Sequence, residues 1–310
     1  MGADSDPAPG TAQLAQRIAI QILVAISGIV PVTIFYACGW FFGSLSYILS
    51  TRYRRLIFHN LDLAYGAQLS RQQKRLIARR SFTMFIQESI LLLKFVRLTS
   101  WQVEKVVRVE HEERLKDAFA KGCGVVLITG HLSSFCLAVA RLVRAGYRVA
   151  VLRRRQDAEE AIAYVMTMVG VRTFYHKESL LPLARFLKDG GAVLFMIDQH
   201  ARRGVQVPFF GIPAATFTAP VRIAVSMKTV TLPILMHREG RGKYVLTIEE
   251  PAELIQEKSE RAVCNNLLRL SGILEKYVRK YPHEWLWLHR RWRHVDRSPS
   301  GQDESCGTTA

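Results

Sequence analysis

Between Arg17 and Arg52 the chain runs for 34 residues, Ile18 to Thr51, without a charged side chain. A helix of about 20 apolar residues crosses a bilayer, so this stretch is long enough to do so. Soluble helices rarely stay uncharged for so long, which sets a membrane segment over residues 18–51 above a buried core helix. Gly28, Pro31, Gly39 and Gly43 interrupt it, and both a kinked span and a dip into one leaflet fit. It is too long for the core of a secretory signal, and no small-residue cleavage site follows. Arg17 alone precedes it in the basic count, whereas Arg52, Arg54 and Arg55 follow at once. The positive-inside rule then places everything after residue 51 on the cytoplasmic side.

Charge narrows the partners. The 310 residues carry 43 Lys and Arg against 26 Asp and Glu, a formal net charge of +17. Such a balance calls for a polyanion, either nucleic acid or an anionic lipid surface. Residues 52–80 hold eight basic side chains and one acid, Asp62, interleaved with Leu56, Ile57, Leu61 and Leu63. A basic amphipathic segment directly after a membrane-length stretch reads as an anchor on anionic lipid. No recognition helix, RNA-binding sheet motif or zinc-finger spacing is present, so a nucleic-acid partner is not expected. The five cysteines are scattered without a CxxC or Cys/His cluster, so no metal site is expected.

Five regions follow: a polar, disordered N-terminus (1–17), the membrane segment (18–51), a basic helical membrane-proximal region (52–100), a folded domain (101–297) and a disordered tail (298–310). In the folded domain apolar runs alternate with helical patterns. Strands are expected near 125–129, 148–152, 171–174, 192–197, 230–236 and 244–249, with helices between them. That alternation implies an α/β fold with a mostly parallel central sheet flanked by helices. Ligands of such sheets bind at the carboxyl ends of the strands. Three tips carry reactive or basic groups: Gly130-His131, Arg153 with Arg154 and Arg155, and Asp198-Gln199 followed by Arg202 and Arg203. His131, before a helix N-terminus, is the candidate general base. The arginines suit phosphates, as on coenzyme A, acyl carrier protein or a lipid headgroup.

Several ordered motifs then carry a resemblance. They are Arg54-Arg55 with Asn60-Leu61-Asp62-Leu63-Ala64-Tyr65, Glu88 in the next helix, and Gly130-His131. Ile197-Asp198-Gln199 follows, then the Gly204–Gly211 turn with Phe209-Phe210, Pro213–Thr216, and the Trp285–Trp292 run. Together, over about residues 45–295, they resemble the lipid A biosynthesis (lauroyl/myristoyl) acyltransferases. They are also similar to the related phosphatidylinositol mannoside acyltransferases of the lysophospholipid acyltransferase superfamily. The resemblance implies transfer of a fatty acyl chain from acyl carrier protein or acyl-CoA to a hydroxyl of a glycolipid such as a lipid A precursor. It implies a bacterial inner membrane, with the catalytic domain on the cytoplasmic side, and no cofactor or metal.

One position departs from the family pattern. The acid of the His-x4-acid motif belongs five residues after His131, where Cys136 stands. Three readings stay open. The orienting acid comes from elsewhere, with Asp198 and Glu88 as candidates. Alternatively, the protein is an impaired relative that binds lipid or carrier without efficient turnover. In the third, Cys136 is itself a nucleophile paired with His131.

Overall fold

The computed structural model describes residues 11–153, 160–176 and 179–293. The charge-free stretch forms two helices rather than one, α1 (Thr11–Ile29) and α2 (Val32–Leu49), and Pro31 caps the second. Proline lacks an N–H and fits only the first turn of a helix, so the break falls there. Of the two, α2 is long and apolar enough to cross a membrane. Two basic helices follow, α3 (Thr51–Tyr65) and α4 (Arg71–Phe95). Ser70 starts α4 through a capping box: its hydroxyl accepts from the Gln73 N–H, and the Gln73 side chain accepts from the Ser70 N–H.

The α/β part begins after α5 (Ser100–Val106). Its central sheet has seven strands, in the order β1 (Val107–Glu110), β9 (Lys243–Ile248), β8 (Val230–Gly240), β2 (Val125–Thr129), β5 (Ala192–Met196), β3 (Val149–Arg153) and β4 (Arg172–Tyr175). Every pairing is parallel except β8 with β9. The strand run Val125–Thr129 is buried at every position, as a strand covered on both faces must be. Alternate residues divide between two cores. Val126 and Ile128 pack with Leu267, Leu270 and the tryptophans of the C-terminal run. Val125 and Leu127 pack with Leu137, Val139 and residues of α1, α2 and α4. Burying each such aliphatic side chain contributes about 1.5–3 kcal/mol.

The crossover helices are α6 (Glu112–Ala120), α7 (Phe135–Arg144), α8 (Glu160–Met168), α9 (Leu181–Lys188) and α10 (Ala219–Met227). Helix α11 (Glu260–Lys280) closes the fold. The segment expected to be a turn at Gly204–Gly211 is instead the first half of an antiparallel hairpin, β6 (Val205–Phe209) with β7 (Ile212–Thr216). The C-terminal tryptophan run is tied down by polar anchors. Asn60 Nδ2 donates to the carbonyls of Trp287 and His289 at 2.8 and 2.9 Å, and Ser81 Oγ donates to that of Trp285 at 2.8 Å.

Candidate active site

β2 and β5 are neighbours in the sheet, with Thr129 opposite Met196. Their next residues therefore emerge side by side at the carboxyl edge, where Ile197 N–H donates to the Thr129 carbonyl at 3.1 Å. This brings His131 and Asp198 together. His131 Nδ1 lies 2.7 Å from Asp198 Oδ1, and the His131 backbone N–H donates to Oδ2 at 2.6 Å. Trp285 Nε1 donates to the same Oδ2 at 2.8 Å. The buried carboxylate thus receives a ring, a backbone and an indole N–H. Burial alone would raise the Asp198 carboxyl. The His131 ring, the His131 amide and the Trp285 indole outweigh it and hold the group well below the usual carboxylate range.

With Nδ1–H donated to Asp198, the imidazole tautomer leaves Nε2 as an acceptor. Gln199 Nε2 lies 3.1 Å from it. The backbone around His131 is pinned as well: Leu286 N–H donates to the His131 carbonyl at 3.1 Å, and Ser133 N–H to the Glu284 carbonyl at 2.9 Å. Gly130 is required by closeness. A Cβ there would stand 2.8 Å from a Leu274 methyl and 3.1 Å from Asp198 Oδ2.

His131 borders a cavity of about 180 Å³. Its walls are largely apolar, from Met84, Phe85 and Leu92 of α4 together with Phe135, Trp285 and Leu286. Cys136 and Glu88 share this cavity. Burial pushes the Cys136 thiol up to about 12, only partly opposed by nearby Arg153. A thiol held protonated carries no charge to orient an imidazole and is a poor nucleophile. Glu88 accepts from the Tyr244 hydroxyl at 3.0 Å, and Arg238 Nη1 stands 3.9 Å away. Burial nevertheless lifts its carboxyl to about 7, against Arg238 and the hydrogen bonds from Tyr244 and Ser134. Glu284, on the same cavity, is likewise raised to about 7, chiefly by burial, although it accepts the Arg238 backbone N–H.

The remaining basic candidates separate. Arg153 ends β3, half-buried, on the side of Cys136. Arg154 and Arg155 lie outside the described residues. Arg202 lines a second cavity, of about 310 Å³, with His200, His289, Arg52, Arg290 and Arg293. Arg203 is exposed. Sequence reasoning assigned no site role to Trp285, Glu284, His289 or Arg291. Arg291 is fully buried and holds the loop after Asp198: its guanidinium donates to the carbonyls of Gln199 and Ala215 at 2.9 Å and to Thr216 Oγ1 at 2.7 Å. His289 Nε2 accepts from His200 N–H at 3.0 Å, and burial depresses it to about 4. The dense Trp-x-Trp-x-His-Arg-Arg-Trp pattern was the available signal, but it reads equally as packing.

Known proteins match most of the length of this chain. The family model for bacterial lipid A biosynthesis acyltransferase matches residues 12–294. The chain is 23% identical over 280 residues to the lipid A biosynthesis palmitoleoyltransferase of Escherichia coli (strain K12), covering 85% of this chain and 86% of that protein. A lipid A biosynthesis acyltransferase of Shigella flexneri matches with the same figures. One from Haemophilus influenzae is 23% identical over 278 residues, covering 86% of this chain and 85% of its own.

Proposed function

The chain belongs to the bacterial lipid A biosynthesis acyltransferases, and from that premise we propose that it acylates a hydroxyl of a lipid A precursor with His131 as general base and Asp198 as its orienting carboxylate. The observation that carries this reading is the 2.7 Å contact between His131 Nδ1 and Asp198 at the head of an apolar cavity. The donor is a fatty acyl thioester on acyl carrier protein or coenzyme A. Its acyl chain lies along the α4 wall, from Ser81 to Leu92.

In the reaction the acceptor hydroxyl replaces Gln199 at His131 Nε2. Nε2 takes the hydroxyl proton as the oxygen bonds to the thioester carbonyl carbon. Asp198, already ionised, stabilises the imidazolium that forms. The carbon–sulfur bond then breaks, and the imidazolium returns the proton to the departing thiolate. No group outside the thioester and the acceptor is consumed. Arg202 and its neighbours Arg52, Arg290 and Arg293 hold phosphate on the acceptor or the carrier. Arg153, at the β3 tip, serves the same substrates. The N-terminal helices seat the enzyme in the inner membrane, with the catalytic domain cytoplasmic.

A second reading rests on Cys136, which leaves the family's acid position without a carboxylate. An impaired relative would bind the same substrates without efficient turnover. Labelled acyl donor, incubated with membranes holding wild type, His131→Ala, Asp198→Asn, Cys136→Ala or Cys136→Glu, separates the readings. The base reading expects activity in wild type that collapses in His131→Ala and Asp198→Asn and survives Cys136→Ala. Activity indifferent to His131→Ala would overturn it. An inactive wild type with activity gained in Cys136→Glu would favour the impaired relative. A labelled acyl-enzyme lost in Cys136→Ala would point instead to a cysteine nucleophile. Mass spectrometry of lipids from a deletion strain identifies the acceptor.

A further inference from the structure

A third cavity, of about 620 Å³, lies between α3 and the start of α4. Four arginines line it, Arg54, Arg55, Arg71 and Arg75, together with the rings of Tyr47 and Phe58. Their spacing explains the convergence. Positions 51, 54, 55 and 58 share one face of α3, and 71 and 75 share one face of α4.

Arg54 is already used. Its guanidinium donates to the carbonyls of Tyr47 and Ile48, in the last turn of α2, at 2.9 and 2.5 Å. Arg55, Arg71 and Arg75 are exposed, and among the described residues none of them has an ion-pair partner. The single acid between residues 52 and 80, Asp62, is taken by Lys74 at 2.5 Å. Arg71 also occupies the first turn of α4, which holds no acid. A cation there opposes the helix dipole. Three guanidiniums without an ion-pair partner and a helix N-terminus around one hollow favour the entry of an anion.

Position selects the anion. The cavity opens where α2 ends, beside the exposed apolar residues Leu45, Ile48 and Leu49. A lipid with its headgroup in the cavity lays its chain on that face. The two cavities share no lining residue, and along α4 their nearest lining residues, Arg75 and Ser81, are six residues apart, about 9 Å at 1.5 Å per residue. The cavity is therefore separate from the His131 site.

We propose that Arg55, Arg71 and Arg75 form a discrete binding site for the phosphate of an anionic lipid headgroup, apart from the acyl-transfer site. The proposal rests on the membrane-seated reading of α1 and α2 but not on catalysis.

The test is flotation of purified full-length protein with vesicles of phosphatidylcholine alone or with added phosphatidylglycerol. Arg71→Gln/Arg75→Gln is compared with Lys116→Gln/Lys121→Gln, an equal charge loss on exposed residues at α6 and its C-cap. A basic residue at a charged membrane surface is worth about fivefold in binding, so the arginine pair should lose on the order of twentyfold of the phosphatidylglycerol increment. Binding to neutral vesicles should stay as in wild type, and the lysine pair should keep most of the increment. Equal loss in both pairs means diffuse charge attraction and overturns the site, as does an unchanged increment in the arginine pair. Inorganic phosphate, at ionic strength matched with chloride, resolves the source. A headgroup site gives up part of its increment to competing phosphate; a site for the free anion alone binds inorganic phosphate without vesicles and leaves the increment equal in wild type and the arginine pair, and the lipid assignment falls. An arginine pair that loses binding to acyl carrier protein while keeping the increment assigns the cavity to the carrier instead. Failure of wild type to float with neutral vesicles counts against the membrane seating of α1 and α2, while the phosphatidylglycerol difference still reads the cavity.

Discussion

Three N–H groups converge on the two oxygens of Asp198. Asp198→Asn keeps the shape but replaces a charged acceptor with an amide that favours the wrong imidazole tautomer. By the behaviour of catalytic triads, kcat should fall by about two to four powers of ten with KM little changed, whereas Cys136→Ala should cost less than about tenfold. Steady-state acyl transfer checks both, and equal losses would return the acid's role to position 136. The strand tip made Asp198 legible as a candidate. The Trp285 contact was not legible, because 87 residues separate the partners and only the folded sheet edge joins them. Glu88 makes a different prediction. Its ordinary value is 4.5 and burial lifts it to about 7. A raised carboxyl supports folding while protonated, so its contribution is whole below about pH 4.5 and is lost as pH rises through about 7. Glu88→Gln never ionises, so Tm should fall less between pH 4.5 and 7 than in wild type. Glu284, raised in the same way, retains part of the slope. Parallel Tm curves for the two proteins would show that ionising Glu88 costs the fold nothing.

Among elements, the seam between α2 and α4 depends on two glycines four residues apart. A Cβ on Gly39 would stand 2.5 Å from Gln87 Cγ, and one on Gly43 would stand 2.8 Å from Thr83 Cα. Small residues at this spacing let helix backbones approach closely. From sequence these glycines marked places where a long helix could kink. The structure puts the break at Pro31 and uses the glycines for packing, a distinction that requires knowing which helix lies opposite. Gly43→Ala should destabilise by about 1–3 kcal/mol, since the α4 backbone must move. Gly272→Ala, in the middle of α11 with nothing within 4 Å of the new methyl, should stabilise by about 0.5–1 kcal/mol. Tm measurements on the two variants should move in opposite directions; a shared direction would remove the packing explanation. The central strands β2, β5 and β8 were legible because both faces are apolar. The β6–β7 hairpin was not, since Pro208 and Pro213 sit opposite each other in its ladder and proline argues against strand in a sequence pattern. Edge strand β1, four residues long, is too short to give a periodic signal.

At the scale of the whole molecule, two kinds of surface meet at one end. The helices α1 and α2 expose Ile22, Leu23, Ile26, Trp40, Phe41, Phe42 and Leu45, while α3 and the start of α4 present the basic band. Charge attraction and apolar insertion respond differently to salt. At about 1 M salt the Debye length shrinks to about 3 Å, which screens the attraction of a +17 chain for anionic lipid. Apolar area removed from water is not weakened by salt. Membranes holding the protein should therefore keep it through a high-salt wash and release it to detergent. The decisive comparison is Ile26→Asp with Leu45→Asp. Both side chains are exposed, so the fold loses little when they change. In the bilayer each aspartate costs about 2.5–3.5 kcal/mol, enough together to leave charge attraction as the main hold. The double variant should then leave the membrane in high salt while wild type stays. Equal release of both would mean that the exposed apolar faces of α1 and α2 rest against something other than lipid.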